Sequence, residues 1–221
     1  MKPNPSNKIK QIFCQTIVAA MIVLGTGSSS AQDLDISGIA GLRFGGSLSG
    51  SQTTDGEVSL SDFRFDGGVN YGLILDLRMS DQIDLELAYD RMSTEFIRKD
   101  PQTGNESTVF FLNVDYLQFG LLYKFSKPEN TTRPFVGLTG GGTFLGPEDR
   151  SDGAVRFSFA PLAGVKTFFS EQIGARIQAR LVLTHFPESD ELFCRDNQCL
   201  NQDGAALMSQ FDFTVGLIIR L

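Results

Sequence analysis

What most constrains this chain is an alternation of apolar and polar residues with a period of two, which returns again and again along its length. In residues 69 to 79 the odd positions carry Val69, Tyr71, Leu73, Leu75, Leu77 and Met79, while the even ones carry Asn70, Gly72, Ile74, Asp76 and Arg78. Residues 83 to 90 set Ile83, Leu85, Leu87 and Tyr89 against Asp84, Glu86, Ala88 and Asp90, and 173 to 184 and 211 to 221 repeat the scheme. Successive side chains of a strand point to opposite faces, so each stretch is a strand with two unlike faces, and the helical period is absent. Weaker stretches at 35 to 47, 109 to 125, 134 to 145 and 154 to 169 bring the strand count to eight. In 109 to 125 the parity slips: Asn113 and Asp115 are polar at odd positions where Leu117, Phe119, Leu121, Tyr123 and Phe125 are apolar, which a bulge near Tyr116 would explain. The glycine-rich 134 to 145 makes the weakest strand, because glycine weakens strands unless a bend or close packing needs it.

The connections alternate as well. Met79 to Gln82 and Ser170 to Gln172 are tight and Ser126 to Arg133 is moderate, whereas 48 to 66, 97 to 108, 146 to 153 and 187 to 207 are longer and polar. Short turns at one end and long loops at the other are the pattern of a bacterial outer-membrane barrel. With 41% hydrophobic residues the chain is no helical membrane protein, and one His with no Trp leaves little for a metal centre or a His-driven active site. A formal net charge of -7 argues against nucleic acid as a partner.

Residues 1 to 10 carry Lys2, Lys8 and Lys10, residues 12 to 24 form an apolar core, and Ser29-Ser30-Ala31 supplies small residues before Gln32. This is a secretory signal peptide at 1–31 with cleavage after Ala31, leaving a barrel domain at 32–221. The apolar run is shorter than the roughly 20 residues of a helical span. Cys14 lies ahead of the purely apolar stretch from Ile17 to Leu24 and leaves with the leader. Cys194 and Cys199 remain, in C-R-D-N-Q-C, and an exported chain favours a local disulfide between them. Zinc would need two or more further ligands, and the single His, His185, is nine positions from Cys194.

Alternation alone does not say which face is outside, since a soluble barrel and a membrane barrel differ only by inversion. The polar face mixes both signs: Arg43, Asp76, Arg78, Asp84, Glu86, Lys166, Arg176 and Arg180, with Asp212 and Arg220 at equivalent parity. Inside a narrow barrel these would form a charge network; on a soluble surface they would be a solvated face. The chain ends in Thr214-Val215-Gly216-Leu217-Ile218-Ile219-Arg220-Leu221, which resembles the outer-membrane assembly signal through Thr214, Gly216, Ile219 and Leu221. Ile219 and Leu221 stand where an aromatic is usual. With the leader and R-P-F-V-G-L-T-G-G-G at 133 to 142, the chain resembles the small outer-membrane barrel family of OmpA and OmpX type, the porin-family barrel domain, over the whole of 32–221.

The resemblance implies an all-β, eight-stranded antiparallel up-and-down transmembrane barrel in the outer membrane, with no peptidoglycan-binding domain after its last strand. It implies a structural or surface-interacting monomer without enzymatic activity or cofactor, whose partners are outer-membrane lipid, lipopolysaccharide and the barrel-assembly machinery. Val69, Leu73, Leu85, Leu87, Leu181 and Leu217 are then lipid-facing. Two alternatives stay open at this point. One is a lipid A-modifying deacylase or acyltransferase using His185 and Ser189, against which stands Ser189's place in a loop beyond Phe186-Pro187, where deacylases of that class hold both on one strand face. The other is a soluble periplasmic barrel that binds a small apolar ligand. The acidic excess of the last loop has no spacing of a defined calcium site.

Overall fold

A computed structural model describes residues 34–54, 57–99, 106–147, 154–187, 191–195, 198–202 and 206–221. Over 47–54, 57–65, 96, 98–99, 106–110, 147, 191–195, 198–202 and 206 it describes the backbone alone. The 1–31 leader falls outside the described residues.

The strands are β1 (Leu34–Gly45), β2 (Ser47–Thr54), β3 (Glu57–Phe65), β4 (Gly68–Arg78), β5 (Ile83–Lys99), β6 (Glu106–Lys124), β7 (Thr132–Pro147), β8 (Ala154–Phe168), β9 (Ile173–Phe186), β10 (Glu191–Arg195), β11 (Gln198–Gln202) and β12 (Ala206–Arg220). Eight of them, β5-β4-β1-β12-β9-β8-β7-β6, run side by side, and the β5–β6 pairing closes the ring. Every pairing is antiparallel, and first meets last where Ile36 lies opposite Ile219 and Phe44 opposite Phe211. This is an up-and-down barrel without a free edge, which is one of the two ways a chain can satisfy its backbone groups within lipid.

The tight turns share one chemistry. In Met79-Ser80-Asp81-Gln82-Ile83 the Ser80 hydroxyl accepts the Ile83 N–H at 3.1 Å, and in Phe169-Ser170-Glu171-Gln172-Ile173 the Ser170 hydroxyl accepts the Ile173 N–H at 3.0 Å. A serine that mimics a backbone acceptor holds each turn closed.

Alternation carries through to burial. Along β9 Arg176, Gln178, Arg180, Val182, Thr184 and Phe186 are buried, while Ile177, Leu181 and His185 between them are exposed. The outer face is a continuous apolar band in which Leu73, Val69, Leu181 and Leu217 are exposed and Leu85 and Leu87 half-buried. Aromatics mark both borders of the band, Tyr123, Phe125 and Phe169 near the short turns and Phe44, Tyr71, Phe157 and Phe211 toward the long loops. Such an exterior around a charged interior inverts a soluble protein and is the arrangement of a transmembrane barrel, which excludes the soluble-barrel alternative.

Two features differ from the sequence reading. The bulge near Tyr116 does not occur: Leu112, Val114, Tyr116, Gln118, Leu122 and Lys124 are all buried, so one parity holds through β6. The register instead shifts where Phe96 faces Phe110 and Ile97 faces Thr108, leaving Val109 as the extra residue. Asn113 and Asp115 point outward because this part of β6 has risen to the polar rim. There Ser93 donates to Asn113 at 2.7 Å, Tyr89 donates to Asp115 at 2.8 Å, and Arg91 donates to Asp115 at 2.6 and 2.9 Å. The long loops also carry strands of their own. β2 and β3 form a hairpin over 48 to 66, β10 and β11 form another within 187 to 207, and β11 pairs with β2. Gly45 and Gly46, both at positive φ (88° and 107°), let the chain bend out of β1 into the first hairpin.

The glycine-rich strand β7 is regular, and its glycines are the reason. Gly141 faces inward, and a Cβ there would lie 2.0 Å from the Leu117 carbonyl oxygen of β6, so only glycine permits this approach of the two strands.

Candidate functional site

The interior of the barrel is where the chain concentrates its chemistry. Inward parity from seven strands brings six carboxylates, Asp35, Asp76, Asp84, Glu86, Asp90 and Asp212, against six bases, Arg43, Lys124, Lys166, Arg176, Arg180 and Arg220. Among the described residues these twelve groups balance, six of each sign.

It falls into two clusters. In the half nearer the short turns, Arg176 donates to Asp76 at 2.9 Å, to Glu86 at 2.8 Å and to Gln178 at 2.6 Å. Lys166 lies 2.9 Å from Asp76, 3.1 Å from Asp84 and 3.6 Å from Asp35, and Lys124 completes Asp84. Arg220 forms a two-pronged bond to Asp35 at 2.8 and 3.1 Å. In the half nearer the long loops, Arg43 bonds Asp90 and, at 3.0 Å, Asp212, which also accepts from Asn70 at 2.6 Å. Arg180 donates to Asp90 and to Gln118, each at 3.2 Å. The Arg43 guanidinium lies 4.3 Å from the centroid of the Tyr116 ring, whose hydroxyl donates to Gln210.

Apolar side chains fill the space between and above these clusters. Ile39, Ile74 and Ala88 form one buried group and Leu122, Phe135 and Leu162 another. Toward the long loops Leu112, Val114, Leu145, Phe186 and Met208 are buried. Isolated charges at such burial would be costly, and each of these twelve groups lies within ion-pair reach of an opposite charge. Gly216 faces inward as well, and a Cβ there would lie 2.7 Å from the Gly38 carbonyl oxygen of β1 and 2.8 Å from the Ile39 side chain.

Of the residues singled out from sequence, Arg43, Asp76, Asp84, Glu86, Lys166, Arg176 and Arg180 are buried in these clusters, and Arg78 is half-buried at the turn end of β4 with contacts of its own. Thr214 is buried on β12, while Ile219 and Leu221 are exposed on its outer face and Gly216 lies between. Asp35 and Asp90 belong to the same clusters without standing out as site residues in the sequence. Strand register could have found Asp35, which stands opposite both Arg220 and Asp76, but not Asp90, which stands opposite Gly72 and Tyr116; Asp212 stands opposite both Arg43 and Arg180. Cys194 and Cys199 sit on β10 and β11, whose pairing is irregular between Leu192 and Arg195. His185 is exposed on β9 opposite Leu207, and Ser189 lies outside the described residues. Among the described residues no group of three His, Cys, Asp or Glu could hold a metal ion.

An apolar exterior, a charged interior and eight antiparallel strands closed without an edge define a small transmembrane barrel of the outer-membrane type. No protein-family model matches the sequence, and no curated protein matches it. The fold is similar to that of the outer membrane protein OprG from Pseudomonas aeruginosa, with a TM-score of 0.59 at 14% identity over 83% of this chain and 96% of that one. Neisserial surface protein A gives a TM-score of 0.50 at 8% identity, covering 86% of this chain and 97% of its own. The outer membrane protein AlkL gives 0.50 at 13% identity, covering 89% and 94%. At these identities the likeness is one of fold.

Proposed function

We infer that the protein is a non-enzymatic outer-membrane barrel, structural or surface-interacting, whose lumen is closed by its own side chains. The observation that carries this reading is the neutral set of interlocked ion pairs, which ties β1, β4, β5, β6, β8, β9 and β12 together across the interior. Eight strands leave an interior just wide enough for side chains. Outer-membrane lipid and lipopolysaccharide are the partners of its apolar band, and Thr214, Gly216, Ile219 and Leu221 are the residues offered to the assembly machinery. In this reading the barrel works as a monomer.

Against lipid A chemistry stands the placement of His185. Among the described residues its exposed imidazole has no hydrogen-bond partner, and nucleophilic catalysis needs a base held by a third group. Cells that express the protein should therefore show an unchanged lipid A mass profile. A loss or gain of one acyl chain that His185→Ala abolishes would overturn the reading.

Cys194 and Cys199, on neighbouring strands of one hairpin, are proposed as a disulfide that pins the last long loop. Both thiols should resist alkylation until reduced, and reduction should leave the barrel's stability nearly unchanged, because the closed loop is short and peripheral. Two freely alkylated thiols in protein from intact cells would contradict the bond.

A further inference from the structure

At the short-turn end of the barrel a cavity of about 540 Å³ opens between the connections 126–131 and 169–172, lined by Glu129, Arg133, Phe168, Phe169, Glu171 and Arg220 among others. Two guanidiniums stack on the one Phe168 ring, Arg220 at 3.8 Å and Arg133 at 4.5 Å from its centroid. They differ in what neutralises them. Arg220 is held by Asp35 at 2.8 and 3.1 Å. Arg133, only 6% exposed, donates to the carbonyls of Asn130, at 2.9 Å, and Pro128. Among the described residues it has no carboxylate within ion-pair reach, whereas the other buried bases, Arg43, Lys124, Lys166, Arg176 and Arg180, each have one.

A buried guanidinium held by carbonyls and an aromatic ring, with no carboxylate in ion-pair reach among the described residues, leaves its charge unmatched, and an anion in the cavity would match it. The level of the cavity identifies the anion. Phe125, Phe169 and Leu221, exposed at 60%, 70% and 70%, mark the lower border of the apolar band beside it, where phospholipid phosphates of the periplasmic leaflet lie. Glu129 and Glu171, both exposed on the cavity's rim, suit an ammonium next to that phosphate. We propose that this cavity binds the headgroup of an ethanolamine phospholipid, its phosphate on Arg133 and its ammonium on Glu129 and Glu171. The site rests on the barrel's place in the membrane and is independent of whether the protein catalyses anything.

The test is native mass spectrometry of the folded protein in nonionic detergent with phosphatidylethanolamine added. One lipid should remain bound, and Arg133→Gln should weaken that binding about tenfold, the scale of a lost charge-assisted hydrogen bond. Should Arg133→Gln not fold, the surface pair Glu129→Gln and Glu171→Gln keeps the question open to test. That double variant should lose the preference for phosphatidylethanolamine over phosphatidylcholine, whose quaternary ammonium donates no hydrogen bond. No lipid on the wild-type protein, equal binding by Arg133→Gln, or an unchanged preference in the double variant would overturn the proposal. Free phosphoethanolamine binding as tightly as the lipid would overturn the lipid as its source. A protein that stays folded and soluble without detergent would instead contradict the membrane placement itself.

Discussion

Arg176→Met should destabilise the folded barrel by about 3 to 5 kcal/mol, the cost of removing one partner from a buried ion pair. Among the described residues Arg176 is the single base within ion-pair distance of Glu86, at 2.8 Å, whereas Asp76 keeps Lys166 at 2.9 Å when Arg176 is lost. The damage is therefore concentrated on one stranded carboxylate. Adding Glu86→Gln to Arg176→Met should recover most of the loss, since an amide in that place carries no charge to leave unpaired. Urea titration of protein refolded into lipid vesicles, read by the gel-mobility difference between folded and unfolded forms, measures both variants. A double variant no more stable than Arg176→Met alone would mean that the pair is not the unit assigned here.

On the outer face the sign of the effect reverses with the chemistry of the substituent. Leu138 lies midway along β7 and is 58% exposed, so lipid is its neighbour. Leu138→Arg should cost roughly 2 to 4 kcal/mol, as arginine does at the bilayer midplane of such barrels. The same change on a soluble surface would sit within about 0.5 kcal/mol of neutral. Refolding yield and urea midpoint in vesicles decide between the two, and a neutral Leu138→Arg would place this face in water.

The barrel strands were legible because one face of each meets lipid and the other meets charge, and a period of two is then written directly into the residues, as in Val69 to Met79 and Ile173 to Thr184. The reading failed where the surroundings change along a strand. On β6 the outward positions go from Phe119 and Leu117 to Asp115 and Asn113 as the strand leaves the hydrocarbon, while the inward ones go from Lys124 and Gln118 to Val114 and Leu112. Polarity inverts there and geometry does not, so a slip of parity and a change of solvent leave the same trace in sequence. The strand β7 was hard to see for another reason: its glycines serve the contact of Gly141 with the Leu117 carbonyl, which only the folded pairing reveals. Likewise, Arg43, Asp212 and Arg180 share a polar parity in sequence, but their meeting depends on the β1–β12 and β12–β9 registers. The hairpins β2–β3 and β10–β11 lie outside the eight-stranded ring, in stretches whose polar, loop-like composition hid them in sequence.

A closed lumen depends on Arg43, Lys166, Arg176 and Arg180 staying bound to their carboxylates across it. Conductance of the purified protein in planar lipid bilayers tests this most directly. The filled barrel predicts no large, steady current at any salt concentration at which it stays folded. A persistent open channel that admits sugars would contradict it.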